Sequence, residues 1–275
     1  MIFCESSKVI ENRLLIPHHF KMALKAPLIA PRLKAGQFIQ IRCSKEYDPL
    51  LPRPMSVYRV EGEKMEILYE VIGKGTDFMA HTEKGEALEI YGPLGRPFWD
   101  IPEAKNLFLI GGGIGLAPFY ALAEVFLKEA RKEKPEITVL FGARAKGRIV
   151  CEDEFKKLGV GFEVATDDGS YGFHGRVTQL LEKKLAALPR NAPAALYACG
   201  PNVMMKETCR IALLHNLPCQ VSLDEPMACG FGICFGCAVK IKRQTTSDLQ
   251  QNGGFAYKLA CKDGPVFEAK EVLWD

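Results

Sequence analysis

The sequence predicts a multidomain β plus α/β protein. An antiparallel β-barrel or sandwich comes first, then a doubly wound parallel sheet, then a small cysteine-bearing piece. Three observations carry this. Short strand-like runs separated by Gly/Pro turns fill residues 1–100. Strand and helix patterns alternate over residues 101–223. Residues 224–275 hold Cys229, Cys234, Cys237 and Cys261 within a glycine-rich context. A length of 275 residues leaves room for these parts.

In the first part, "GQFIQIRC" (36–43), "MSVYRV" (55–60), "MEILYEVI" (65–72) and "ALEIYG" (87–92) are rich in β-branched and aromatic residues. Two short motifs suit anions. Arg53 in "RPMS" (53–56) can hold a phosphate bidentately. Gly73 and Gly75 with Thr76 in "GKGT" (73–76) fit an anion nest opening a short helix. Each also fits an ordinary surface charge or turn. "GPLGRPFWDIP" (92–102) reads as a hinge, because its prolines and glycines oppose regular structure.

In the second part, strands are expected at 106–110, 136–143, 161–168, 194–200 and 219–223. Helices are expected at 119–133, 176–188 and 202–216, with a short one after 143. "GGGIGLAP" (111–118) follows a strand and opens a helix, where free N–H groups and the helix dipole favour a phosphate. It departs from the G-x-G-x-x-G fingerprint, since the sixth position from Gly111 is Leu116. Basic residues, Arg144, Lys146 and Arg148, follow the second strand where an acid would mark NAD; alone they lean toward a 2′-phosphate. Residues 107–123 carry no charge, but their glycines and proline suit a buried strand–turn–helix rather than a membrane span.

In the third part the cysteines run C-x4-C-x2-C, then 23 residues, then C. This is the plant-type [2Fe–2S] spacing. Gly230, Gly232 and Gly236 let the backbone wrap closely and turn N–H groups toward sulfur. Zinc is the rival, but its structural sites usually pair two Cys-x2-Cys knuckles, and only Cys234–Cys237 forms one. About 50 residues make little core alone, so a metal is expected to staple this piece. "RQTTSDLQQNGGF" (243–255) reads as an exposed loop.

Charge is nearly balanced, with 36 basic and 33 acidic residues and a net +3, which argues against a nucleic-acid binder. The N-terminus, with Glu5 and no long apolar core, does not read as a signal peptide. Ten cysteines in that setting suggest a reducing, cytoplasmic compartment. Six of them, Cys4, Cys43, Cys151, Cys199, Cys209 and Cys219, read as small buried hydrophobes. The five histidines have no ligand spacing.

The order RPMS, GKGT, GGGIGLAP and "YACGP" (197–201) resembles the ferredoxin–NADP reductase superfamily. "DEPMACGFGICFGC" (224–237) and "ACKDGPVF" (260–267) resemble the electron-transfer subunits of class 1B dihydroorotate dehydrogenases. Related subunits of electron-bifurcating transhydrogenases tend to carry aspartate where Cys229 stands. The resemblance implies a barrel that binds FAD. It gives Arg53, Pro54, Met55 and Ser56 to the flavin and its phosphates, and Leu68, Tyr69 and Glu70 to the strand along the cofactor. Gly73, Gly75 and Thr76 fall to the pyrophosphate turn. Gly111, Gly112, Gly113 and Gly115 fall to NAD, with Cys199, Gly200 and Pro201 edging the nicotinamide pocket. It makes Cys229, Cys234, Cys237 and Cys261 the ligands of the [2Fe–2S] cluster. It implies electrons passing from an FMN-containing catalytic subunit, which oxidises dihydroorotate for pyrimidine biosynthesis. They travel through the cluster and FAD to NAD+, in an assembly of two of each subunit with no membrane or nucleic acid. The Cys237–Cys261 gap is longer than relatives tend to have. Two other functions fit the residues: an NAD(P)H reductase feeding a ferredoxin or oxygenase, and a zinc-stapled interaction module without enzymatic activity.

Overall fold

The computed structural model describes residues 1–128, 134–242 and 254–274. Six strands form the first unit: β1 (Phe3–Ile16), β2 (His19–Lys25), β3 (Phe38–Ile41), β4 (Arg53–Glu61), β5 (Lys64–Glu70) and β6 (Ala87–Leu94). They close into an antiparallel barrel in the order β1-β2-β5-β4-β3-β6, so the barrel form of the expectation holds. Alternation sets its two faces. Ile39, Ile41, Met55, Ile67, Tyr69 and Ile90 fill the interior. The residues between them, including Gln40, Pro54, Ser56 and Leu68, stand on the outer face. Helix α1 (Lys74–Ala80) follows β5.

β1 and β2 have no counterpart among the strands named from sequence. β1 buries only two of its 14 residues, so its apolar alternation is faint. The expected break at 92–102 starts later, because β6 continues to Leu94. Gly92 allows this: a Cβ there would meet Ile39 Cγ2 at 2.9 Å. Pro93 falls where the β3–β6 register slips, between the Phe38–Leu94 and Gln40–Tyr91 pairs, a position that tolerates a missing N–H.

The second unit runs β7 (Asn106–Gly112), α2 (Ala117–Lys128), β8 (Glu136–Ala143), α3 (Glu152–Leu158), β9 (Gly161–Thr166) and β10 (Phe173–His174). It continues α4 (Val177–Ala187), β11 (Ala194–Cys199), α5 (Asn202–Leu214) and β12 (Cys219–Ser222). These six strands pair in parallel, in the order β10-β9-β8-β7-β11-β12. The expected helix over 119–133 begins two residues earlier, and its last five positions lie outside the described residues. The uncharged run 107–123 is β7, a turn and α2; no described helix is long and apolar enough to cross a membrane.

The C-terminal segment supplies β13 (Ala238–Lys242), β14 (Phe255–Leu259), α6 (Ala260–Asp263) and β15 (Val266–Glu268). β15 pairs antiparallel with β12 and becomes the seventh strand of the large sheet. Val239, Ile241, Leu259, Phe267 and Val272 share one apolar cluster with Leu196, Ile211 and Val221 of that sheet unit. A metal is therefore not the segment's only staple: it borrows a core. Of the loop expected at 243–255, residues 243–253 lie outside the described residues, and Phe255 already belongs to β14.

Barrel and sheet units meet across aromatic rings. Tyr58 of β4 lies 4.8 Å from Tyr120 of α2, centroid to centroid, and 6.4 Å from Phe155 of α3. A polar knot lies beside them. Lys21 Nζ donates to both carboxylate oxygens of Glu154, at 2.7 and 2.8 Å, and Tyr58 Oη donates to the same group at 2.8 Å. Burial, then the neighbouring Cys151 and Glu154, pushes the Tyr58 phenol far up, so it stays a donor. Glu154→Leu leaves the buried Lys21 ammonium only Glu66, at 3.9 Å, and takes the acceptor from Tyr58 Oη. We expect a loss of about 2 kcal/mol, read as a lower thermal midpoint, at the modest end for a broken buried pair because Glu154 is partly exposed.

Candidate functional site

The sheet order reverses direction between β7 and β11, and open α/β sheets bind ligands at such a switch point. The two nucleotide motifs meet there. Gly111–Gly115 leave β7, and Cys199–Pro201 leave β11. Glycine is required where these chains cross. A Cβ at Gly115 would stand 2.4 Å from Cys199 O, and one at Gly112 would stand 2.8 Å from Pro201 Cδ. Gly113 has φ +56° with open space beyond it. The Cys199 thiol is buried and pushed up to about 12, by burial first and Asp224 second, so it is a neutral group at the end of β11.

The barrel motifs also converge. Arg53 packs on Gly75: a Cβ there would fall 2.6 Å from Arg53 Nε. The guanidinium donates to Leu51 O at 2.6 Å, which fixes its approach to the turn before α1. Thr76 Oγ1 accepts from the N–H of Ile72 at 2.9 Å and of Gly73 at 3.3 Å, so its hydroxyl locks the turn itself. The cradle of a cation and a glycine-lined turn suits a pyrophosphate.

Residues 68–70 point to different sides. Leu68 is buried in the apolar cluster of Leu116, Ala117 and Tyr120, at the root of the nucleotide turn. Tyr69 faces into the barrel, stacked on Phe20 at 5.5 Å and donating to Asn12 Oδ1 at 2.9 Å. Its side chain is thus inside the wall, as is that of Met55. Glu70 stands 3.7 Å from Arg148. Lys146 lies over the Tyr171 ring at 5.6 Å. Two of the three cations expected to favour a 2′-phosphate therefore have local partners.

The cluster motif forms one glycine-rich loop, with Cys261 brought alongside by α6. Sulfur receives backbone N–H groups throughout: Phe231 and Ile233 to Cys229 at 3.3 and 3.5 Å, Gly236 to Cys234 at 3.5 Å, and Cys261 to Cys237 at 3.4 Å. Burial raises the Cys229 thiol, but the N–H groups of Cys234, Ile233 and Phe231 outweigh it and hold it at about 6. Burial, then Cys237, pushes Cys261 up to about 12. The four thiols act on one another: Cys234 on Cys229, and both Cys237 and Cys229 on Cys261. Four neighbouring thiols are what a binuclear cluster requires. The donor set fits [2Fe–2S].

Sequence reasoning missed what joins barrel to loop. Tyr91 of β6 meets Phe231 edge-on at 6.1 Å, and Gly230 rests against Gln40 of β3. Neither Tyr91 nor Gln40 lies in a motif, so no signal marked them. The scattered cysteines are mostly as expected, with Cys43, Cys199, Cys209 and Cys219 buried; Cys4 is exposed.

Barrel, switch-point sheet and thiol loop together define a two-unit nucleotide-binding oxidoreductase fold carrying an iron–sulfur-type module. Residues 109–210 match the oxidoreductase NAD-binding domain, and residues 224–273 match the iron-sulfur cluster binding domain of dihydroorotate dehydrogenase B. The electron transfer subunit of dihydroorotate dehydrogenase B (NAD+) from Desulforamulus reducens is 36% identical over 271 residues, 98% of each chain. Its counterpart from Caldanaerobacter subterraneus is 37% identical over 268 residues, again 98% of each. The chain belongs to this family of electron transfer subunits. Among solved structures, an NADH-dependent reduced ferredoxin–NADP oxidoreductase superposes with a TM-score of 0.82 at 28% identity, over 98% of this chain and 91% of that one. A ferredoxin–NADP+ reductase from Neisseria gonorrhoeae, with bound FAD and NADP, shares the fold at 19% identity. Its TM-score is 0.61, over 77% of this chain and 91% of that one.

Proposed function

We propose that this chain is the electron-transfer subunit of an NAD+-dependent dihydroorotate dehydrogenase. It joins a catalytic FMN subunit in the cytoplasm, as two of each. One observation supports the reading: β4, with Arg53–Ser56, packs through Tyr58 on Tyr120 of α2, the helix that follows the nucleotide turn, and pairs with β3, whose Gln40 meets Gly230 of the thiol loop. When bound, FAD exchanges both one and two electrons and [2Fe–2S] exchanges one, which matches a dehydrogenase to NAD+.

The residues position these groups. Arg53 and the turn Gly73–Gly75–Thr76 hold the FAD pyrophosphate. Pro54 and Ser56 lie along the flavin, with the backbone of Leu68–Glu70 beside it and Met55 backing it from inside the barrel. Gly111, Gly112, Gly113 and Gly115 take the NAD pyrophosphate, and Cys199, Gly200 and Pro201 edge the nicotinamide. Cys229, Cys234, Cys237 and Cys261 would hold the [2Fe–2S] cluster, which would supply one-electron transfer there. The relatives, which are NAD(+) subunits, support NAD+ over NADP+. Exposed Ile233 and Phe235 give the thiol loop an apolar face for the catalytic subunit. Parts 1–100, 101–223 and 224–275 serve flavin, nucleotide and cluster, with β15 tying the last to the second.

The test is direct. Co-purified with its FMN subunit, the chain will reduce NAD+ with dihydroorotate, with kcat/KM for NAD+ exceeding that for NADP+. A complex loaded with FMN, FAD, iron and sulfide but inactive with dihydroorotate ends the reading. A colourless zinc protein ends it sooner.

A further inference from the structure

Gln40 is fully buried in the middle of β3. Among the described residues, neither its Nε2 nor its Oε1 has a hydrogen-bond partner. A buried carboxamide left unpaired is costly, and a strand reading Phe-Ile-Gln-Ile would take an apolar residue there at no loss to the barrel. Its flanking residues, Ile39 and Ile41, point into the barrel, so Gln40 points out. Its cross-strand partners are Pro54, in the strand assigned to the flavin, and Tyr91.

What covers Gln40 is the thiol loop. Gly230 follows Cys229 and has φ +75°, a conformation that suits glycine. A Cβ at Gly230 would fall 2.8 Å from both Cγ and Nε2 of Gln40, and 3.2 Å from Cδ. The amide nitrogen, the donor, is thus turned toward the loop. The other donors to the thiols are backbone N–H groups of the C-terminal segment itself. Tyr91, packed on Phe231, braces the same side of the loop.

We propose that Gln40 is a positioning residue for the cluster: its Nε2 donates a hydrogen bond to the sulfur shell on the Cys229 side, from the barrel. The inference rests on the [2Fe–2S] reading above. Hydrogen bonds to cluster sulfurs stabilise the more negative, reduced state and raise the potential. Gln40 therefore ties the cluster's potential to the flavin-binding unit. A barrel side chain, and not only the loop that carries the cysteines, sets how readily the cluster accepts an electron.

The test uses the full complex with two variants. Gln40→Met keeps the volume and removes the donor; Gln40→Leu removes it with a second, shorter side chain. Iron, sulfide and flavin are assayed, and cluster and flavin potentials are titrated separately by electron paramagnetic resonance and absorbance. Both variants will carry wild-type cofactor contents. In both the reduction equilibrium of the cluster will weaken about tenfold, the loss expected for one charge-assisted hydrogen bond, and the flavin potential will stay in place. An unchanged cluster potential in loaded Gln40→Met overturns the proposal, as does a shift confined to the flavin. Should methionine prevent loading, an unchanged potential in Gln40→Leu overturns it equally. A wild-type complex lacking iron and sulfide would instead sink the parent reading.

Discussion

Cys261→Ser will cut the electron route in two. Dihydroorotate-dependent NAD+ reduction falls by at least about 100-fold, beyond the 10–100-fold typical of losing an outer-shell partner to a metal site. NADH-driven reduction of ferricyanide, which needs only FAD and the nucleotide site, stays near the wild-type rate. The asymmetry follows from where Cys261 sits. It is 3% exposed, on α6, and its N–H donates to Cys237 Sγ at 3.4 Å. One substitution thus removes one of the four thiols assigned to the cluster. The loss is local, because serine nearly keeps the size of cysteine and leaves the packing of α6 on the shared core in place. Retained activity with dihydroorotate would remove Cys261 from the ligand set. Parallel loss of the ferricyanide reaction would show that the thiol holds the fold rather than the cluster.

The chemistry was more legible than the packing that aims it. Cys229, Cys234 and Cys237 are read from spacing because a cluster demands thiols at fixed intervals along one loop. The turn after β7 is read from its glycines, since two backbones approach there too closely for side chains. Long-range register leaves no such mark. Val266–Glu268 is three residues long, and only pairing with β12 makes it a strand of the large sheet. Tyr69 belongs to a recognisable strand, yet alternation turns its ring into the barrel and away from any ligand outside. Gln40 looks like an ordinary polar residue in an apolar strand. Its importance arises from Gly230, 190 positions later, closing over it. β1 escaped notice for a related reason: with two buried residues in 14 its pattern resembles a solvated segment, and closure of the barrel makes it a strand.

Gly115→Ala will weaken nucleotide use while sparing both other cofactors. The new Cβ would lie 2.4 Å from Cys199 O and 2.6 Å from Cys199 C and Gly200 Cα. All three are backbone atoms, so no rotamer change relieves the clash. The turn after β7 and the end of β11 must separate, and those two segments form the two sides of the switch-point crevice. Overpacking of this kind costs about 1–3 kcal/mol. If that distortion falls on the bound geometry, kcat/KM for NADH drops by roughly 10–100-fold, at 1.4 kcal/mol per factor of ten. Gly113→Ala is the control. Its Cβ meets nothing within 4 Å, and only its φ of +56° carries a penalty, about 1–2 kcal/mol. A lower thermal midpoint is expected for both, but the large loss of NADH kinetics belongs to Gly115→Ala. FAD, iron and sulfide contents should match the wild type, because Arg53, Gly75 and the thiol loop lie on other segments. Equal kinetic losses in the two variants would mean that turn rigidity, not the crossing of β7 and β11, shapes the nucleotide site.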